Sequence, residues 1–374
     1  MMWRLLGGVV LVGFLALCLG CGGGGGGGGP VGGPPSGGQE TVLRAILRGS
    51  QERPNPVTTN ALGTATVRIS ADRSTIIVEW RTSGLQNVTA AHIHVGGLLD
   101  ATPPAIGFFN PQQDNPDSGS KTLVKGQVSV GAGLTFDDVV NALLSGNAYI
   151  NFHTQAHPAG EIRGQVGPVT LAAQLTGDQE APNPVQTNAT GSAIVQLNNT
   201  QDQITVLVRT TGLQNVTAAH IHVGAVGQAG PIIFPLDHNA TTQTLTAANL
   251  QAQPAQGINT FDDAINALLS GNAYINFHTQ AHPPGEIRGQ IVPAARVTIR
   301  NFAFNPANLT VKVGTAVIFT NEDNVAHTAT SDTNTFDTRE IPPGQFAVLW
   351  FRTAGNFPYH CTPHPSMRGT ITVQ

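Results

Sequence analysis

Residues 359–373, near the carboxyl end of the chain, read YHCTPHPSMRGTITV. This stretch sets a thiolate, an imidazole and a thioether at short fixed spacing, because Cys361, His364 and Met367 follow a C-x2-H-x2-M pattern. Thiolate and thioether ligands select copper, whereas imidazole suits several metals. The stretch therefore predicts a strand that leads into a copper-binding loop.

A trigonal copper site with two His, one Cys and a long axial Met requires a second imidazole. His327, in the segment TNEDNVAHTAT, is the candidate, since His360 is the only further histidine after residue 294. His360 adjoins Cys361 on an extended strand, where successive side chains point to opposite faces. We therefore expect His360 to face away from the metal and His327 to complete the ligand set.

Three other interpretations of Cys361 stay open. A structural zinc site usually takes several Cys and His ligands in closely spaced pairs, whereas this part of the chain holds one cysteine. A buried free cysteine would pack as a small hydrophobe beside an unrelated His and Met. A nucleophilic cysteine with a His base would use the same residue types, but no catalytic sequence motif surrounds Cys361. The joint spacing favours copper over these alternatives.

The segment before the loop alternates apolar and polar residues, which is the pattern of a strand with one buried face. Val297 and Ile299 alternate with polar residues, and so do Leu309 and Val311. A further alternating run, 346–350, follows the turn residues PPG. These runs predict a small antiparallel sandwich.

Residues 294–374 resemble a cupredoxin of the plastocyanin, azurin and amicyanin family. The resemblance rests on the loop CTPHPSM, whose two-residue gaps are similar to those of amicyanin, and on the segments VTIRNFAFNPANLTVKVGTAVIFTNED and FDTREIPPGQFAVLWFRTAGNFPYHC. It implies a Greek-key β-sandwich with one type 1 (blue) copper site. The copper ligands that it implies are His327, Cys361, His364 and Met367.

Four protein ligands would leave no open position at the copper for a substrate, and an open position is what a catalytic metal keeps. We therefore expect an electron carrier and not an enzyme, acting with a redox partner protein that the sequence does not identify. The resemblance implies that electrons pass through the edge of His364. Pro363 and Pro365 restrict the backbone on both sides of this ligand.

An internal duplication precedes this segment. GLQNVTAAHIHVG occurs at 84–96 and 212–224, and SGNAYINFHTQAHP occurs at 145–158 and 270–283, followed in both copies by GEIRGQ one residue later. These blocks resemble the CHRD (chordin-type) domain. The resemblance implies an all-β chain with two tandem sandwich or barrel domains, at 39–167 and 168–293, ahead of the cupredoxin. It implies no activity, and the partner of these domains is unknown.

The segments TFDDVVNALLSG and TFDDAINALLSG predict one helix in each copy of the repeat. Each segment has a Thr suited to the N-cap, acidic residues in the first turn and a closing Gly.

Four histidines recur at matching positions in both copies of the repeat, and these could bind a metal. Two of them lie two residues apart on a strand and so share one face. The alternative is that the imidazoles are hydrogen-bonded in the domain core, to Glu161 and Glu286 or to Arg163 and Arg288. Sequence alone leaves both interpretations open. The candidate metal ligands in the two copies are His92, His94, His153 and His157, and His220, His222, His278 and His282.

An apolar run from Leu5 to Leu19 follows a basic residue near the amino end. It falls short of the roughly twenty residues that a membrane-spanning helix needs, so 1–21 is predicted to be a signal peptide. Its end, CLGC, resembles a bacterial lipobox, with Cys18 where Leu is usual. The resemblance implies lipidation of Cys21 and export to the bacterial cell envelope, with membrane contact only through the lipid; plain secretion is the alternative. The Gly-rich segment 22–38 is predicted to be a flexible tether.

The charge of the chain excludes one class of partner. Its 374 residues carry a formal net charge of −4 with 11% charged residues, which gives no electrostatic footprint for nucleic acid. Three functions stay open: an electron carrier held away from the membrane by the repeats, an adhesion or interaction protein in which copper is accessory, and a copper oxidoreductase whose repeat histidines supply a second metal site.

Overall fold

Strands dominate the part of the chain that the structure, a computed structural model, describes, which is residues 38–374. The predicted all-β fold class is confirmed. The predicted signal peptide with Cys21 lies outside the described residues, and so does the predicted tether except for its last residue. Within residues 38–374, no helix is long and apolar enough to cross a membrane.

The first repeat forms one antiparallel sheet of eight strands, with a helix inserted before the seventh strand. Its elements are β1 (Thr41–Arg48), β2 (Leu62–Ile69), β3 (Thr75–Ser83), β4 (Val88–Val95), β5 (Pro104–Gly107), β6 (Ser118–Val124), α1 (Phe136–Leu144), β7 (Ala148–Thr154) and β8 (Ile162–Gln165). The order across the sheet is β5-β4-β7-β8-β1-β2-β3-β6. The strands β4 and β7, which carry the candidate histidines, are therefore neighbours.

The second repeat has the same strand order, β13-β12-β15-β16-β9-β10-β11-β14. Its elements are β9 (Val169–Thr176), β10 (Thr190–Leu197), β11 (Ile204–Thr211), β12 (Val216–Val223), β13 (Ile232–Leu236), β14 (Thr242–Leu245), α2 (Phe261–Leu269), β15 (Ala273–Thr279) and β16 (Ile287–Gln290). Here β12 and β15 are the neighbouring strands that carry histidines. The shared order confirms that the sequence duplication is also a structural one.

Both predicted helices form, and the predicted Thr is the N-cap of each, directly before its first residue. Thr135 Oγ1 accepts a hydrogen bond from the Asp138 N–H at 3.2 Å, and Asp138 Oδ2 accepts one from the Thr135 N–H at 2.8 Å. Thr260 and Asp263 make the same reciprocal pair, at 3.3 and 3.0 Å. Such a capping box satisfies backbone donors that the first turn of a helix leaves unpaired.

The carboxyl-terminal domain contains two sheets, β18-β17-β20-β22 and β19-β24-β23-β21. Its strands are β17 (Val292–Arg300), β18 (Ala303–Asn305), β19 (Asn308–Val311), β20 (Ala316–Asn321), β21 (Thr330–Ser331), β22 (Phe346–Trp350), β23 (Gly355–His360) and β24 (Arg368–Val373). The prediction of an antiparallel sandwich is wrong for two pairs, since β17 with β20 and β19 with β24 are parallel. The chain crosses to the second sheet at β19 before it returns as β20, and this crossover permits the parallel pairing.

The second repeat and the carboxyl-terminal domain share one strand. Val292 and Pro293 of β17 pair with β9, and the next six residues, 294–299, pair with β20. The predicted boundary between residues 293 and 294 thus falls inside β17. Backbone N–H groups of β22 also donate to side chains of the second repeat, from Val348 to Ser192 Oγ at 3.0 Å and from Trp350 to Gln174 Oε1 at 2.9 Å.

Candidate metal centres

The loop between β23 and β24 carries three of the predicted copper ligands. These strands form an antiparallel hairpin in which His360 pairs with Arg368, so residues 361–367 close it. The Cys361 N–H donates to the Met367 carbonyl at 3.1 Å, and the Met367 N–H donates to the His364 carbonyl at 2.9 Å. Backbone hydrogen bonds inside the loop therefore fix the spacing of its side chains.

Cys361 lies at the centre of the predicted ligand set. Its Sγ is 3.5 Å from Nδ1 of His327 and 3.6 Å from Nδ1 of His364. His327 reaches it from the segment between β20 and β21, and neither Cys361 nor His327 has any solvent exposure. Met367 is 3% exposed and belongs to the same buried cluster as Cys361. A thiolate and two imidazoles that converge in a dry site are the donor set that copper prefers, so these residues fit the ion.

Two further contacts orient these groups. The Thr328 N–H donates to Cys361 Sγ at 3.3 Å. Nε2 of His327 lies 3.0 Å from Oδ2 of Asp323, which leaves Nδ1 to face the sulfur. A carboxylate bonded to the far nitrogen of a histidine ligand fixes its tautomer and its orientation. Neither Asp323 nor Thr328 is predicted from the sequence, because a polar residue in a loop gives no signal until the fold brings it to the site.

The charge states of this pair follow from their surroundings. Burial opposes ionisation of Asp323, but hydrogen bonds from the Phe302 and Asn301 N–H groups and from His327 outweigh it and hold the pKa of the carboxyl below its usual value. Burial lowers the pKa of His327, and the Asp323 carboxylate offsets part of that effect. The result is a neutral imidazole beside an ionised carboxylate at neutral pH, the states that a metal ligand and its supporting group need.

Phe302 lies against both imidazoles at the surface of the domain. Its ring centroid is 5.4 Å from that of His327 and 5.0 Å from that of His364, edge to face in each case. Phe302 is 51% exposed and His364 is half-buried. His364 therefore lies between the buried Cys361 and the exposed ring of Phe302. Phe302 is likewise not predicted from the sequence, because it lies 25 residues before the nearest of these histidines.

His360 faces away from these groups, as the alternation of the strand predicts. Its Nδ1 hydrogen-bonds to the Asp332 carboxylate, which also accepts from Arg368 at 3.2 Å. The structure thus separates His360 from the histidines that meet Cys361.

Three histidines come together in each repeat. In the first repeat, one ring nitrogen each of His92, His94 and His153 lie within 4.8 Å of one another, and we name this set the first histidine cluster. The pairing of β4 with β7 sets His153 opposite Ala90, so that the three rings share one face of the sheet. The second repeat repeats the arrangement, in the second histidine cluster: His220, His222 and His278.

The other two candidate histidines of the repeats lie outside both clusters. His157 and His282 are in the turns after β7 and β15, and their backbone N–H groups donate to Thr154 Oγ1 and Thr279 Oγ1, both at 3.2 Å. The turn carries each of these histidines past the end of the histidine-bearing strands. The structure therefore brings together six of the eight predicted candidates.

The predicted hydrogen bonds from these imidazoles to Glu161 or Arg163 are wrong. Glu161 accepts from Thr59 and Thr154, both at 2.7 Å. Arg163 donates to backbone carbonyls, at 2.8 Å for Gly97, and its guanidinium lies 3.5 Å from the Tyr149 ring centroid. In the second repeat, Glu286 and Arg288 likewise bond to threonines and to a backbone carbonyl: Thr187, Thr279 and Ala225. These charged side chains therefore have partners other than the histidines, and sequence periodicity does not reveal those partners.

Burial lowers the pKa of five of the clustered histidines. It lowers the pKa of His92, His94 and His222 to about 4. It also lowers the pKa of His153 and His220. These imidazoles are therefore neutral at pH 7, which is the form that binds metals.

Comparison with known proteins agrees with this division of the chain. The CHRD domain model matches residues 43–166 and 171–291, and the cupredoxin-like domain model matches 274–373. Residues 274–291, which both models claim, lie in β15 and β16 and in the turn between them, within the sheet of the second repeat.

Curated relatives match each part separately. Chordin of Danio rerio is 30% identical over 165 residues, which are 40% of this chain and 17% of chordin. Plastocyanin of Scenedesmus fuscus is 33% identical over 89 residues, which are 19% of this chain and 86% of the plastocyanin. Amicyanin of Paracoccus denitrificans is 31% identical over 83 residues and 63% of its length. The chain thus spans less than a fifth of the chordins that it matches.

Solved structures match the carboxyl-terminal part. A mutant amicyanin in its Cu(I) form is 31% identical, with 22% of this chain and 82% of that chain covered and a TM-score of 0.21. A purple cupredoxin from Nitrosopumilus maritimus is 30% identical, with 21% and 99% covered and a TM-score of 0.21. From the family models and curated relatives, the chain belongs to the CHRD domain family, with two CHRD domains followed by a cupredoxin-like domain of the kind that binds copper and transfers electrons.

Proposed function

We propose that the carboxyl-terminal domain holds one copper ion through His327, Cys361, His364 and Met367 and carries electrons for a redox partner protein. The observation that supports this most directly is the position of Cys361 Sγ, 3.5 and 3.6 Å from the Nδ1 atoms of His327 and His364, with Cys361 and His327 fully buried. When bound, copper would supply a one-electron change between Cu(I) and Cu(II).

The protein groups hold this donor set still. Asp323 orients His327, the Thr328 N–H donates to the cysteine sulfur, and backbone hydrogen bonds close the ligand loop. Pro363 and Pro365 restrict the backbone on both sides of His364. A site that keeps its geometry in both oxidation states needs little rearrangement, which favours rapid electron exchange over chemistry on a substrate.

Electrons would enter and leave at His364. This is the half-buried histidine of the set, and the exposed ring of Phe302 lies against it. An uncharged surface beside the ligand allows a partner to approach closely without desolvating charged groups. The redox partner would therefore contact an apolar patch that includes Phe302.

A visible absorption spectrum tests the copper site. Purified chain is loaded with Cu(II), and an intense blue thiolate-to-copper band is expected, with a reversible potential by voltammetry. The His327→Ala variant should lose the band, and the matched variant His360→Ala should keep it, because His360 bonds to Asp332 and not to Cys361. A colourless loaded protein, or equal loss in both variants, would refute the assignment.

We further propose that the chain is exported to the bacterial cell envelope and lipidated at Cys21, so that the repeats hold the copper domain away from the membrane. The support is the apolar run 5–19 followed by CLGC. In a bacterial host grown with labelled palmitate, the wild-type chain should take up label and the Cys21→Ser variant should not. The Cys361→Ser variant, which changes a cysteine outside the leader, is the matched control and should take up label; label retained at full level by Cys21→Ser would contradict the anchor.

The two alternative functions, an adhesion protein with accessory copper and a copper oxidoreductase, stay predictions. The oxidoreductase would need a metal ion bound in the repeats. The two histidine clusters are the candidate sites for such an ion.

A further inference from the structure

The first histidine cluster has a fixed pattern of protonation. Nδ1 of His94 lies 2.8 Å from the Thr102 carbonyl, and Nδ1 of His153 lies 3.0 Å from the Pro158 carbonyl. A carbonyl oxygen only accepts hydrogen bonds, so each Nδ1 carries the proton and each Nε2 keeps a free lone pair. This is the arrangement found around histidine ligands, whose second nitrogen commonly donates to a backbone carbonyl.

The lone pairs of this cluster have no protein partner. Within residues 38–374, Nε2 of His94, Nε2 of His153 and Nδ1 of His92 are all buried without a hydrogen bond. The side chains of His94 and His153 are 4% and 8% exposed. A buried polar atom without a partner costs free energy, and native proteins rarely keep several at one point. One ion that accepts three lone pairs would remove this cost.

The second histidine cluster repeats the pattern. Nδ1 of His222 lies 2.8 Å from the Gly230 carbonyl, and Nδ1 of His278 lies 2.9 Å from the Pro283 carbonyl. Nε2 of His222 is again buried with no partner in the described part of the chain. Here Nδ1 of His220 lies 3.1 Å from Nε2 of His278, so these two rings can share a proton. A metal ion would have to displace that proton, and we therefore expect the second cluster to bind more weakly than the first.

Neighbouring side chains hold the first histidine cluster in place, and one side of the cluster is accessible to solvent. His94 stacks on Tyr149 with ring centroids 4.6 Å apart, and the Arg163 guanidinium lies 3.5 Å from the same ring. Two groups cannot occupy one face of a ring, so Tyr149 separates this cation from His94. His92 is half-buried, which leaves one side of the cluster within reach of solvent.

We propose that each repeat binds one late first-row transition metal ion, zinc or copper, through three imidazole nitrogens. In the first repeat these are Nδ1 of His92 and Nε2 of His94 and His153; in the second they are Nδ1 of His220 and Nε2 of His222 and His278. Neutral imidazole suits both metals, and three histidines leave a fourth position for water or another ligand. The sites share no residue with the proposed copper site at Cys361 and do not depend on it.

Metal counting tests the proposal. The full chain carrying Cys361→Ala and His364→Ala, which removes two of the proposed copper ligands, is incubated with Zn(II) or with Cu(II), desalted, and analysed for metal per chain. Two ions per chain are expected. Adding His94→Ala should remove one ion, and His94→Ala with His222→Ala should remove both.

His157→Ala with His282→Ala is the matched control and should keep two ions, because these histidines lie outside the clusters. If the His94 and His222 variants do not fold, the half-buried His92 and His220 are changed to Ala instead. Retention in the zinc arm identifies zinc sites; retention in the copper arm, with nitrogen splitting in the electron paramagnetic resonance spectrum, identifies copper sites. No retained metal in either arm, or retention by the cluster variants, overturns the proposal.

Discussion

The Asp323 carboxylate lies 3.0 Å from Nε2 of His327, so this imidazole is held between a carboxylate and the sulfur of Cys361. The Asp323→Asn variant keeps the shape of the side chain and removes its charge. We expect copper affinity to fall about tenfold, in line with the loss of other groups that support metal ligands. The reduction potential should rise, because a nearby negative charge favours Cu(II) over Cu(I).

Competition with a chelator and voltammetry measure both effects. Asp332→Asn is the matched control, since Asp332 bonds to His360, which is outside the site. Equal affinity and potential in Asp323→Asn and the parent would show that the contact has no role at the metal.

Met367 provides a second test of the proposed ligand set. Its side chain is buried in the same cluster as Cys361. A weak axial ligand tunes the potential of a blue copper site more than its colour. We expect Met367→Gln, which offers a harder oxygen donor, to lower the potential, and Met367→Leu, which offers none, to raise it, while both keep a blue band. Voltammetry and absorption spectra measure this. The same potential in all three proteins would exclude Met367 as a ligand.

The position of Phe302 beside His364 predicts that electrons are exchanged at this surface. Its exposed ring lies edge to face against His364. We expect Phe302→Ala to keep the blue band and to slow electron self-exchange between two copies of the protein, because the apolar contact beside the ligand is lost. Nuclear magnetic resonance line broadening in mixtures of reduced and oxidised protein measures this rate. Val226→Ala, which removes another exposed apolar side chain (58% exposed), should leave the rate unchanged. Equal rates in both variants would place exchange elsewhere.

Glu52 predicts a pH dependence of stability in the first repeat. Its side chain is 3% exposed, Oε2 accepts from Asn151 at 3.3 Å, and burial raises the pKa of the carboxyl to about 7, against opposing effects of Arg163 and Arg53. The folded state thus holds the proton more tightly than the unfolded state. The stability that the protonated Glu52 contributes is complete below about pH 4.5 and is lost as the pH rises through 7.

The Glu52→Gln variant removes this titration. Its stability relative to the parent should therefore increase between pH 4.5 and pH 8, by on the order of 2 kcal/mol. Urea unfolding at the two pH values measures the difference. Glu180, at the equivalent place in the second repeat, has a pKa raised to about 7 by burial and should behave alike. Glu79→Gln, at a half-exposed carboxyl, is the control. A pH-independent difference for Glu52→Gln would contradict the assignment.

Local signals made part of this structure predictable. The helices follow from Thr135 and Thr260, whose capping boxes need only residues three apart in sequence. The loop CTPHPSM similarly carries three of the four proposed copper ligands on seven residues. Such features depend on short-range geometry, which the sequence records directly.

Other features depended on contacts between distant segments. The parallel pairing of β17 with β20 follows from a crossover between sheets, and no periodicity encodes it. Asp323 and Phe302 come to the proposed copper site only when loops from different strands meet there. In the first repeat, the sequence offers four histidines as candidate metal ligands. The turn after β7 carries His157 away from the other three. The carbonyls that fix the tautomers of His94 and His153 belong to loops and were equally invisible.

The strand β17 affects how the second repeat and the cupredoxin-like domain unfold. Because its first residues pair with β9 and its later residues pair with β20, no spacer separates the second repeat from the cupredoxin-like domain. Melting either domain would pull on a strand of the other, so the two should lose structure in one thermal transition and not in two. A copper ion bound near the carboxyl end would then protect the second repeat from heat as well. The shared strand also restricts rotation of one domain relative to the other. A protein that binds both domains would therefore encounter them in one relative orientation.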